Sequence, residues 1–139
     1  MNDNKKVVRV RDVMKTQFDI VEGRVTVAEA LSTMKHHETK SLLVDKRDDD
    51  DEIGVVLLSD IARQVLAKDR APERVNIYEI MSKPVMTVDP DMDIRYCARL
   101  FDRFGLSRAP VVENKKLIGI VSYADMVLRG LCANIDGAE

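Results

Sequence analysis

Two aspartates, Asp60 and Asp125, each close a short apolar run led by a glycine: Gly54-Val55-Val56-Leu57-Leu58-Ser59-Asp60 and Gly119-Ile120-Val121-Ser122-Tyr123-Ala124-Asp125. An ionised carboxylate accepts bonds from two neighbouring hydroxyls at once, and charge-assisted bonds of that kind are the stronger ones. In the first turn of the helix each is set to open, it also stays ionised at low cost, because the helix N-terminus favours negative charge. The same placement serves a purely structural end. Ser122 and Asp125 have the Ser-x-x-Asp spacing of a variant capping box, so spacing alone leaves capping and ligand binding evenly matched. In the first run Leu57 stands where the hydroxyl would be, which removes the box but keeps Asp60, with Ser59 as an alternative cap.

Cations flank both runs. Lys40 and Arg108 each precede an apolar stretch and occupy matching places when Ser41 is set against Ala109, 68 residues on. If those strand ends open onto a ligand, Arg108 presents a planar fork and Lys40 a point charge to an anionic phosphate; otherwise both are solvated strand ends. Arg63, one helical turn beyond Asp60, is a further phosphate candidate whose counterpart is Leu128.

The elements that must hold these residues are written twice. Val27, Ala30, Leu31 and Met34 form one amphipathic helical stripe, and Ile94, Cys97, Ala98 and Phe101 repeat it 67 residues later. Each stripe leads to a short apolar run, Leu42-Leu43-Val44 and then Ala109-Pro110-Val111-Val112, bounded as strands covered on both faces are. A polar turn and the glycine-led run follow. The first turn carries three extra residues and the acidic stretch Asp48 to Glu52, which reads as a solvated hairpin tip without calcium-loop spacing. The last helix of each copy repeats Ile61, Ala62, Val65 and Leu66 as Met126, Val127, Gly130 and Leu131. Residues 68–76, with Pro72 among charges, read as a solvated linker. Each copy is thus strand, helix, strand, strand, helix. Such a sheet leaves one face apolar, which predicts two copies packed against each other.

Composition narrows the function. The 139 residues are 45% apolar with 4% aromatics and no Trp, enough for one core domain built mostly from aliphatic side chains. A formal charge of -2 argues against a nucleic-acid groove, and no apolar stretch approaches the roughly 20 residues that span a bilayer. The expectation is a soluble cytoplasmic protein that binds neither nucleic acid nor membrane. Cys97 and Cys132 match no metal spacing, with Cys97 at a core helical position. His36 and His37, adjacent on a helix, point apart and do not share a metal. No nucleophile elbow, P-loop or zinc motif is present, which argues against an enzyme.

The order of Asp12-Val13-Met14, Glu79-Ile80-Met81-Ser82, Thr87-Val88-Asp89-Pro90-Asp91, Arg108-Ala109-Pro110-Val111-Val112 and the Gly119 to Asp125 run resembles a tandem pair of cystathionine-β-synthase (CBS) domains, a Bateman module, over Val10 to Leu131. The resemblance implies an α/β (α+β) fold of two βαββα repeats, 10–67 and 77–132, packed sheet to sheet with pseudo-twofold symmetry, joined by the linker 68–76 and flanked by tails 1–9 and 133–139. It implies a regulatory module for signal transduction, with no required cofactor, that binds an adenosine-containing ligand (AMP, ADP or ATP) in the cleft between repeats. Residue by residue it nominates Asp125 for the ribose hydroxyls with Ser122 and Gly119 of the same motif, Asp60 for the other ribose position, and a phosphate-pairing cation at the place of Arg108 and Lys40, while Arg63 is a phosphate candidate by its position one turn beyond Asp60 alone. Thr87 and Pro110 are the expected wall of the adenine slot. A homodimer acting on an effector protein in trans completes the expectation, against the alternative of a nucleotide-independent interaction or dimerisation scaffold.

Overall fold

The computed structural model describes residues 7–132, which divide into two compact units: residues 17–85, and residues 7–16 together with 86–132. The chain opens with one helical turn, α1 (Val10–Val13), in which Asp12 accepts the backbone N–H of Arg9 at 2.9 Å. This turn belongs with the later part of the chain. Val10 N–H donates to Met92 O at 2.8 Å, Ile94 N–H donates to Val8 O at 2.9 Å, and Arg11 pairs with Asp91 and Glu113. Val8 is therefore buried and the described end of the expected 1–9 tail is packed; residues 1–6 and the 133–139 tail lie outside the described residues.

The unit of residues 17–85 holds β1 (Ile20–Val21), α2 (Val27–Thr33), β2 (Ser41–Val44), β3 (Gly54–Leu57) and α3 (Leu58–Ile61). β1 runs parallel to β2, which pairs antiparallel with β3 from Ser41↔Leu57 to Val44↔Gly54. Thr26 caps α2 by accepting from Glu29 N–H at 3.1 Å, while the Glu29 carboxylate accepts from Thr26 N–H, a reciprocal box that fixes where the helix starts. Val27, Ala30 and Met34 face the core with Leu42, Val44, Val56 and Val65, but Leu31 is 39% exposed, so the stripe is narrower than its spacing suggests. The helix stops at Thr33, and just beyond it the Asp19 carboxylate accepts from the N–H groups of Lys35 and His36, so His36 and His37 do not lie within it.

Two further readings change in this unit. Val75 is 2% exposed and accepts from Val27 N–H, while Asn76 Nδ2 donates to Arg24 O at 2.7 Å, so the end of the 68–76 segment is a packed part of the fold. Ile77 and Ile80, which open the second copy in sequence, are in this same core. The acidic hairpin is also anchored. The Asp51 side chain is only 6% exposed and takes Arg47 at 3.0 Å and Lys83 at 2.6 Å, and these cations hold its carboxyl well below the usual range.

The other unit adds α4 (Ile94–Phe104), β4 (Arg108–Glu113), β5 (Lys116–Ser122) and α5 (Tyr123–Asp125). Asp93 caps α4 at its start and Gly105, in the left-handed conformation, ends it. β4 and β5 pair antiparallel through a two-residue turn, Asn114-Lys115, with both residues at positive φ as a type I′ hairpin requires. The strand expected before α4 is reduced to one parallel bridge, Val88↔Val111. Phe101 is fully buried against Val10, Val13, Cys97 and Val121, and meets the Tyr123 ring edge-on at 5.3 Å. Burial pushes the Cys97 thiol up to about 11, so it stays protonated as a core side chain.

After α3 and α5 the chain continues in wider turns, Ala62–Leu66 and Met126–Leu131, in which Ala67 N–H reaches Ala62 O and Cys132 N–H reaches Val127 O. Val65, Met126 and Gly130 of these segments are buried, whereas Leu66, Val127 and Leu131 stay exposed.

Candidate functional site

The exchange of opening segments builds the surroundings of Asp125. Lys15 N–H donates to Ile120 O and Ile120 N–H donates to Lys15 O, both at 2.9 Å, so the backbone just past α1 lies on β5. That approach needs the glycine heading the motif: a Cβ on Gly119 would lie 2.7 Å from Met14 Sδ and 2.8 Å from Lys15 O. Gly119 is a packing residue in this geometry, and its smallness is what sets Lys15 in place.

Asp125 is 3% exposed. Its Oδ2 accepts from the N–H and the Oγ–H of Ser122, each at 3.0 Å, and its own N–H donates to Ser122 Oγ at 3.2 Å, the reciprocal box that the spacing predicts. The remaining oxygen, Oδ1, takes the Lys15 ammonium in an ion pair. A buried carboxylate without partners costs several kcal/mol, roughly, and the two Ser122 donors together with the Lys15 ammonium offset that cost for Asp125. Arg108 is the strand partner of Ser122, half-buried, and within reach of Asp125's charge. Burial pushes its guanidinium below the ordinary value and Asp125 pulls it back up, leaving it a cation. Pro110 is buried two residues along β4, where its carbonyl accepts from Val88 N–H at 3.0 Å, and Thr87 is exposed just before that bridge.

Asp60 has different company. Its Oδ2 accepts from Leu57 N–H at 2.8 Å, the surviving half of a capping box, and its Oδ1 takes Arg63 at 2.6 Å. Arg63 is thus the counter-ion of Asp60 within the same helix. Ser59 lies within α3 and is exposed, so Leu57 rather than Ser59 occupies the cap position. The segment past Ile80 lies on β3 as Lys15 lies on β5: Ser82 and Val55 exchange backbone bonds at 2.9 and 3.0 Å. Ser82 therefore stands where the other unit has Lys15.

The register also revises the match between cations. Ser41 pairs with Leu57 as Arg108 pairs with Ser122, and Leu58 N–H donates to Lys40 O as Tyr123 N–H donates to Ser107 O. The counterpart of Arg108 is Ser41, and that of Lys40 is Ser107. Lys40 is exposed in a left-handed turn (φ 56°), outside the strand position that Arg108 holds. By the same register the first hairpin carries two extra residues rather than three. Ser41 is 2% exposed, and its Oγ has no hydrogen-bond partner among the described residues.

Lys15 and Ser41 are the residues that sequence spacing missed. Lys15 is remote from Asp125 in the chain, and only the exchange of opening segments brings them together. Ser41 is hidden in sequence because the neighbouring Lys40 matches Arg108 in charge, whereas the strand register matches Ser41 to it.

A family model for the CBS domain matches residues 10–67 and 77–130. The hexameric CBS-CP12 protein from bloom-forming cyanobacteria superposes with a TM-score of 0.84 at 35% identity, over 89% of this chain and 72% of that one. The CBS domain pair of protein MJ0100, solved with 5′-methylthioadenosine and S-adenosyl-L-methionine, has a TM-score of 0.73 at 22% identity, a likeness of fold alone, over 96% of this chain and 100% of that one. An uncharacterized protein of Methanopyrus kandleri is 32% identical over 112 residues, 78% of this chain, and the chain spans 57% of its length. With two matched repeats and the same fold, the chain belongs to the CBS domain family, as a tandem CBS pair.

Proposed function

We propose that the chain is a regulatory sensor that binds an adenosine-containing ligand, AMP, ADP or ATP, through the site around Asp125 and signals to an effector protein in trans as a cytoplasmic homodimer. The observation that carries this reading is a buried carboxylate, Asp125, paired with Lys15 and bordered by Arg108. Asp125 accepts ribose hydroxyls, and the cations suit a phosphate on the same ligand. Arg108 belongs to this site by its strand position, and Thr87 and Pro110 are the proposed adenine wall. Asp60 with Arg63 is the second, weaker position, and Lys40 has no strand position from which to serve it. The ligands held by the MJ0100 pair support an adenosine-bearing class through the shared fold.

A scaffold reading has one observation in its favour. Val127, Leu128 and Leu131, exposed by 46%, 67% and 53%, make the last helix apolar on its outer face, as a surface for a second protein would be. A thermal-shift panel of AMP, ADP, ATP, S-adenosylmethionine and NAD separates the two readings. A ligand at 100 times its dissociation constant stabilises by about 2.7 kcal/mol, so the sensor reading expects a clear upward shift with at least one adenine nucleotide. A panel with no shift would leave the scaffold.

A further inference from the structure

Resting on that reading, we propose that Lys15 is a resident counter-ion which trades Asp125 for a ligand phosphate, making the site select phosphorylated over uncharged nucleosides. The acceptor capacity of the Asp125 carboxylate limits what the site can hold at once. Its two oxygens offer roughly four lone-pair positions. On Asp125 the Ser122 N–H and Oγ–H occupy both positions of Oδ2, and Lys15 occupies one of the two on Oδ1. One position remains, and a vicinal diol that donates both hydroxyls needs two.

Lys15 is the partner that can leave. The Ser122 N–H is fixed by the turn into α5, and the Ser122 Oγ also accepts from Asp125 N–H, which ties its hydroxyl to the same turn. Apart from its pair with Asp125, Lys15 is held among the described residues through its backbone on β5, and its flexible four-carbon stem lets the ammonium move while that backbone stays. Once off Asp125, the ammonium needs a new partner, because the Lys15 side chain is only 26% exposed and an unpaired charge there is costly. A phosphate on the entering nucleotide supplies it. A neutral nucleoside brings the diol but no anion, so it must either leave Lys15 uncompensated or settle for one hydroxyl bond.

The test is a calorimetric titration of AMP and of adenosine into the wild-type chain, Lys15→Met and Lys15→Arg. The wild type is expected to prefer AMP by at least about tenfold, the size of one charge-assisted bond. Lys15→Met should cut that preference to below about threefold by weakening AMP while adenosine binds as well or better, and Lys15→Arg should restore most of it. A purely structural lysine would weaken both ligands alike. Equal affinity of the wild type for AMP and adenosine overturns the proposal whatever the variants do, as does an unchanged ratio in Lys15→Met. Binding of AMP with the ratio unaltered removes this inference alone, whereas no binding of either ligand to the wild type removes the proposed nucleotide function with it.

Discussion

The sites around Asp125 and Asp60 start from the same motif and differ in where their counter-ion comes from. Asp60 is neutralised by Arg63 of its own helix, a guanidinium whose side chain is 65% exposed. Asp125 is neutralised by Lys15, brought from the far end of the chain and fixed on β5 by paired backbone bonds. A local, exposed pair contributes little to stability and is screened by salt. A buried pair assembled from distant segments forms only when the fold forms, and its loss leaves a charge without compensation. The duplication thus kept the carboxylate twice but built it into the fold once. The strand position next to it diverged in parallel, with Arg108 in one unit and Ser41 in the other.

The backbone approach that positions Lys15 is the place to break this contrast most strongly. Gly119→Ala puts a methyl within 2.8 Å of a backbone oxygen, so the opening segment must shift, at a cost of about 1–3 kcal/mol in a urea or thermal melt. Gly54→Ala meets Met81 Sδ at 3.0 Å and Ser82 O at 3.2 Å, contacts that yield by a few tenths of an ångström, and should cost clearly less. Equal losses would mean that the two segments are held alike and that the tighter seat of Lys15 has no energetic weight.

A smaller effect sharpens the hydroxyl difference. Ser122→Ala removes a cap and one donor to a buried carboxylate, an expected loss of about 1–2 kcal/mol. Ser59→Ala, at an exposed position in α3, should stay within about 0.5 kcal/mol. A Ser59 variant as damaged as the Ser122 variant would place a functional cap in the first copy after all.

Much of this was readable in the sequence because it depends on local rules. The repeat, the strand–strand–helix order after each stripe, and the Ser122–Asp125 box follow from apolar period and cap spacing, and all appear in the structure. What was not readable depends on which distant segments meet. Periodicity shows that Val13-Met14 and Ile80-Met81 are apolar, but not that Val13 and Met14 join the core of Phe101 while Ile80 joins the core of Val27. Hence Lys15 stayed invisible beside Asp125. Charge likeness is a poor guide where register decides, because a strand's pairing is set by its partner's bonds and not by which residue is cationic: Lys40 resembles Arg108 in charge, but Ser41 holds its strand position. The acidic hairpin is solvated at Asp48, Asp49, Asp50 and Glu52 as its composition suggests, and departs from that reading only at Asp51, which Lys83, a residue remote in sequence, holds.

The central claim is that Asp125 is the carboxylate that takes the nucleotide. It is tested most directly by titrating AMP into Asp125→Ala and Asp60→Ala, with circular dichroism confirming that each is folded. Loss of two charge-assisted bonds predicts at least a ~100-fold weaker AMP affinity for the tight site in Asp125→Ala, while Asp60→Ala keeps that affinity within about threefold. Wild-type AMP affinity in a folded Asp125→Ala variant would contradict the account.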